Sequence, residues 1–225
     1  MKFLIFQNRR VNMALKKSTA TENQQRLFNE FPEAQKVFED PRESEERRLE
    51  ALEYILSRKE ISYILRILSE QFQTNDIRDH VYINCAFATF GLKPKREEDF
   101  DKMFEMLQSD NAYLRNAAIK FVQEYGKEAK VFIEKLMSSE DRDIRIFAIN
   151  ILGDVNYDES IDMMRYFITK EKDLNALMTA VDYLGEIGGS EDIALLEAVK
   201  AQYKDEPYVT FGIDMAIEKL KEEVC

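Results

Sequence analysis

Tryptophan is absent from this 225-residue chain, and histidine occurs once, cysteine twice, proline four times and glycine seven times. So little proline and glycine argues against a sandwich, a barrel or a doubly wound sheet, all of which need many special turns. A single histidine removes the two-histidine zinc motifs, and any Ser-His-Asp or Cys-His arrangement would have to use His80 itself. Asp79 and Cys85 are near it in sequence, yet residues five apart do not share a helix face well, so His80 reads as an ordinary residue near a helix start. Cys85, in an apolar stretch, reads as a small buried hydrophobe, while Cys225 lacks the three following residues that prenylation requires. Nothing resembles a disulfide framework, which implies a reducing, cytoplasmic setting. No run approaches the ~20 apolar residues of a membrane span.

Positive charge is in deficit: 32 basic against 43 acidic side chains leave a net of −11. An acidic field repels phosphate backbones and disfavours nucleic acid as a partner. The mid-chain basic knot of Lys93, Lys95 and Arg96, beside Pro94, reads as a solvated loop. The glycines from Gly185 to Gly189 follow a helical pattern without a Lys-Ser/Thr after them, so they are no phosphate cradle. The acidic cluster Glu140-Asp141-Arg142-Asp143 lacks the glycine and terminal glutamate of a calcium loop. No metal site, cofactor site or catalytic set emerges, which weighs against an enzyme. Residues 1–26 run the other way, with six cations and one anion. Residues 1–20 are expected to be a mobile tail. The alternative is a short amphipathic anchor for a partner or a membrane surface, using Phe3-Leu4-Ile5-Phe6 and the nearby cations. Met13 is a second candidate start.

What the chain does have is a repeat. Ala86, Ala118, Ala148, Ala180 and Gly212 are spaced by 32, 30, 32 and 32 residues, and each precedes an apolar residue. Four positions before them stand Tyr82, Leu114, Ile144, Ala176 and Tyr208; four after stand Phe90, Val122, Leu152, Leu184 and Ala216. Residues four apart share a helix face, so each unit carries a helix whose buried stripe centres on a small residue that admits a neighbour closely. Asp141, Asp173 and Asp205, seven before their anchors, with Asp110 displaced by one, read as N-caps. Gly91, Gly153 and Gly185, five after, mark places where a helix ends or bends. Pro207 suits a first helical turn.

Shorter amphipathic helices alternate with these, over 33–39, 44–57, 60–72, 97–108, 128–138, 158–169 and 191–203. The fold is therefore expected to be all-α, an α-solenoid of about six antiparallel helix pairs, each burying its apolar face on the next. Residues 21–222 form one repeat domain, with the clearest repeats over 76–222.

The stretch from Tyr183-Leu184-Gly185-Glu186 through Ile193-Ala194-Leu195-Leu196 resembles the HEAT-like repeat of the phycobilisome-lyase type. Asp143-Ile144-Arg145 to Leu152-Gly153 and Leu114-Arg115-Asn116-Ala117-Ala118 resemble its second-helix signature. Leu177 and Val209 or Thr210 stand where that signature has arginine, so an Asp–Arg ladder between repeats is in doubt there. The resemblance implies a protein-binding scaffold, adaptor or chaperone-like module. It also implies an alternative, a subunit of a phycobilin-type lyase or cofactor-maturation factor. A third reading, an alkylpurine DNA glycosylase of the HEAT-like world, is opposed by the acidic balance and the missing tryptophan.

In such a solenoid the second helices line the concave face. Positions two before and two after each anchor should point outward, which selects Asn116 and Lys120, Ile146 and Asn150, Met178 and Asp182, Thr210 and Asp214. Tyr183 joins them on the flank. Phe147, Ile151, Phe211 and Met215 also flank this strip and read chiefly as core. The expected partner is a protein or peptide, and a basic one is suggested by an acidic row of Glu124, Asp154, Glu186 and Glu218, six after each anchor. Those acids oppose the helix dipole; a capping role is the structural explanation, and a charged ridge for a basic segment the functional one.

Overall fold

In the computed structural model, residues 28–58, 60–72, 79–86, 96–155 and 159–222 are described. The tail over 1–20, Gly91, the Lys93–Lys95 part of the basic knot, the His80 side chain and Cys225 lie outside them. Among the described residues the chain forms twelve α-helices. These are α1 (Phe31–Glu39), α2 (Glu45–Ser57), α3 (Ile61–Gln71), α4 (Asp79–Ala86), α5 (Glu97–Leu107) and α6 (Ala112–Tyr125). They continue as α7 (Lys130–Met137), α8 (Arg142–Asp154), α9 (Ser160–Lys170), α10 (Leu174–Ile187), α11 (Ile193–Gln202) and α12 (Pro207–Glu222).

Two parallel rows result. The even-numbered helices form a ladder in which α2, α4, α6, α8, α10 and α12 each pack on the next. The odd-numbered helices stack behind them, as shown by the Phe31–Tyr63 rings at 5.4 Å, the Phe100–Phe132 rings at 5.2 Å, and the packing of α3 on α5 and α9 on α11. The protein is an all-α solenoid. One apolar core runs through it from Phe28 to Leu220, and Leu114, Ala118, Ile144, Ala148, Ala180 and Leu184 are fully buried in it.

The start of each central second helix is built by a recurrent local device. Asn111 Oδ1 accepts from the Tyr113 and Leu114 amides, Asp141 Oδ1 from Asp143, and Asp173 Oδ1 from Asn175 and Ala176. Each satisfies amides that the first helical turn leaves orphaned. Two residues earlier, the side chains of Ser109, Ser139 and Glu171 accept from the capping residue's own amide. The cap of α6 is thus Asn111 and not Asp110, which restores the seven-residue offset. Asp205 does not cap: α12 begins at Pro207, and the Glu206 carbonyl accepts from Thr210.

Arg115 and Arg145 hold these corners from within the helices. Arg115 Nη1 donates to the Ser109 carbonyl at 2.6 Å, and Arg145 Nη1 to those of Ser139 and Glu140 at 3.0 Å. Arg145 also reaches the next repeat, pairing bidentately with Glu171. A second inter-repeat rung runs along the other row, where Arg165 Nε meets Asp192 Oδ1 at 2.6 Å and Nη2 meets Oδ2 at 3.0 Å. The Asp192 carboxylate is almost fully buried and also accepts from the Gly189 amide.

Gly153 and Gly185 lie in the last turns of α8 and α10, one and two residues before the helices end. A Cβ on Gly153 would fall into the Tyr183 ring, and one on Gly185 would stand 2.9 Å from Ala216 Cβ. Their role is close approach of successive second helices. Glycine does stand at two helix stops: Gly126, at φ 56°, where α6 gives way to a short 3₁₀ turn, and Gly188, which follows the last residue of α10.

Candidate partner-binding face

The second-helix row carries an open groove of about 610 Å³ across α4, α6, α8 and α10. It is lined by Asn84, Tyr113, Asn116, Lys120, Gln123, Asn150, Asp154 and Tyr183, with Ala117 and Ile119 at its base. Four of the residues selected by spacing therefore come together: Asn116, Lys120, Asn150 and Tyr183. Helical geometry places them there, because positions four apart on each helix line one side and the stacking repeats that side.

The groove is rich in carboxamides, and contacts between repeats order part of it. Gln123 Nε2 donates to the Asn150 carbonyl at 3.1 Å and to Asp154 Oδ2 at 2.9 Å. The Tyr113 hydroxyl is hydrogen-bonded to Asn84 Oδ1. Carboxamides donate and accept at once, the pairing that a peptide main chain offers in return. Two members of the acidic row bond across repeats. Asp154 takes its bond from Gln123 of the preceding repeat, and Glu186 meets Lys219 of the following one at 3.5 Å.

The other selected residues are placed differently. Ile146 is half-buried and packs against the core. Met178 is buried at 3% exposure, its Cε filling the space that Gly212 leaves by having no side chain. Asp182 is exposed on α10. Partial loss of water around its carboxyl pushes its pKa up, Lys219 opposes the shift, and Glu186 adds to it.

Thr210 and Asp214 are off by one residue. With its start at Pro207, α12 has fully buried Ile213 where the earlier repeats have alanine, and Gly185 meets Ala216 where Gly153 meets Tyr183. The outward positions two before and two after Ile213 are Phe211 and Met215. Asp214 instead turns back to α11 and pairs with Lys200. Of the four flanking apolar residues expected in the core, Ile151 is fully buried and Phe147 half-buried, while Phe211 and Met215 are exposed. Spacing alone missed Asn84, Tyr113 and Gln123. Asn84 could have been found, since it stands two before Ala86, as Asn116 stands two before Ala118.

Comparison with known families agrees with this architecture over part of the chain. The family model for HEAT repeats matches residues 129–210, from the lead into α7 to the first turn of α12. The match supports a HEAT-like repeat, a class that in general mediates protein–protein interaction. No curated protein matches the chain. Among the described residues, no helix is long and apolar enough to cross a membrane.

Proposed function

We propose that the chain is a protein-interaction module, a scaffold or adaptor that holds a segment of a partner protein along its second-helix face. The observation that carries this reading is the groove itself, which is continuous over four successive second helices and lined by Asn116, Lys120, Asn150 and Tyr183. A partner segment of net positive charge suits it best, because Asp154, Asp182 and Glu186 stand along the same face and opposite charge steers encounter.

Affinity capture from an extract of the source cell tests this, using the full chain beside Asn116→Arg and Asn150→Arg. Glu134→Arg, on the exposed side of α7, is the control. The reading expects one stoichiometric protein that both groove variants lose and the control keeps. Equal recovery by all three would overturn the assignment of the face.

The groove volume also falls within the roughly 300–1,000 Å³ of small-molecule sites. That one observation favours the alternative, a lyase-type or cofactor-maturation subunit handling a tetrapyrrole. Mixing with free bilin should then create a new visible absorption band or fluorescence, and spectra that merely add would discard it.

A further inference from the structure

The one-residue shift of α12 changes what the second-helix face offers at its C-terminal end. On α6 and α8 the outward positions hold Asn116, Lys120 and Asn150. On α12 they hold Phe211 and Met215, 67% and 44% exposed, and Tyr208 one turn earlier is 59% exposed. Residues 208, 211 and 215 share one side of the helix, opposite the side that buries Ile213 and Leu220 against the core. Acids stand beside the strip, Asp182 and Glu186 on α10 and Glu218 one turn beyond Met215, all exposed. Lys219 is the cation beside them, and Glu186 already engages it. An apolar strip bordered by carboxylates is complementary to a segment that joins a bulky apolar side chain to a lysine or arginine.

We infer that the α10–α12 end of the face is an anchor subsite taking one bulky apolar side chain of a net-basic partner segment on Phe211 and Met215, with the segment's cation at Asp182 and Glu218. This rests on the interaction-module reading and adds to it the residue class that the partner must present. The raised pKa of Asp182 agrees, since a carboxylate stripped of part of its water gains more from an incoming cation.

Selection of a random 16-residue peptide library on the full-length chain tests it, followed by fluorescence anisotropy of the recovered peptides against Phe211→Ser, Met215→Ser and Asp182→Asn. All three positions are exposed, and unchanged thermal melts show that the variants fold. The recovered pool should be net positive and enriched in Phe, Leu, Ile or Met. Its affinity should fall about tenfold on Phe211→Ser, with Asp182→Asn removing much of the salt dependence. A pool without positive bias, an affinity for Phe211→Ser within about twofold of wild type, or a library that yields no binder overturns the anchor. Peptides lost by Asn116→Arg and Asn150→Arg but kept by Phe211→Ser also overturn it, while leaving the interaction module intact.

Discussion

Arg145 of α8 grips Glu171, the residue that opens the next repeat's second-helix corner, through two hydrogen bonds of 2.6 and 3.0 Å. Glu171 spends the same carboxylate on the amides of Lys172 and Asp173, so a single side chain joins an inter-repeat ion pair to a helix cap. Removing the guanidinium leaves a nearly buried carboxylate with only those two amides. Arg145→Met should therefore cost about 2–3 kcal/mol. Arg142→Met, which breaks an exposed pair with neighbouring Asp143, should stay within about 0.5 kcal/mol. Thermal melts of the two variants decide, and equal shifts would refute the role of Arg145.

The same carboxylate sets an acid limit. Burial works against its charge, but Arg145 and the two amides outweigh burial and hold its pKa below the ordinary glutamate value. The unfolded chain thus takes up this proton more readily. The stabilisation is complete above the ordinary value, near about 4.3, and is lost as pH falls through the lower folded value. Glu171→Gln should lower the melting temperature at pH 7 and flatten its decline on acidification below pH 4. Parallel pH profiles for wild type and variant would refute this.

The inter-helix glycines should not tolerate alanine equally. At Gly185 the new Cβ meets Ala216 Cβ at 2.9 Å and its backbone Cα at 3.0 Å, atoms that move only if α12 moves. Overpacking of about 1–3 kcal/mol should exceed the gain of about 1 kcal/mol in helix propensity. At Gly153 the obstacle is the half-buried Tyr183 ring, which can rotate into the open groove. Gly153→Ala should be the milder variant in denaturant melts, and the opposite order would contradict the packing.

The corner residues rank by what they hold. Asp173→Ala loses a cap, at about 1 kcal/mol. Asn111→Ala loses a cap and the bond from Nδ2 to the Phe72 carbonyl in the preceding pair, both buried, at about 2–3 kcal/mol. Asp205→Ala should stay within about 0.5 kcal/mol, because α12 starts beyond it. Chemical denaturation of the three variants measures the order.

Much of the architecture was open to reading before any coordinate. Anchors four residues from their apolar neighbours specify helices, and a spacing near 32 specifies that those helices stack, since none of them can bury its stripe alone. The groove was legible to the same degree. Asn116, Lys120, Asn150 and Tyr183 follow from helical offsets, while Met178 does not, because its burial depends on what Gly212 lacks in the next repeat.

What the sequence by itself determined is what offsets within one helix set: the alternation of helices, the buried stripes of α6, α8 and α10, and the caps at Asp141 and Asp173; on α12 the expected stripe fails, with Tyr208 exposed. The tertiary structure decided whatever depends on which atoms of the next repeat come opposite. It gave Gly153 and Gly185, near their helix ends, a role as contacts with the next repeat, paired Arg145 with Glu171, and moved α12 by one residue. That last change rotates the helix by about 100°. It places Phe211 and Met215, not Thr210 and Asp214, on the open face. A shift so small leaves the apolar pattern within α12 readable either way, and only the packing of Ala216 on Gly185 selects between them.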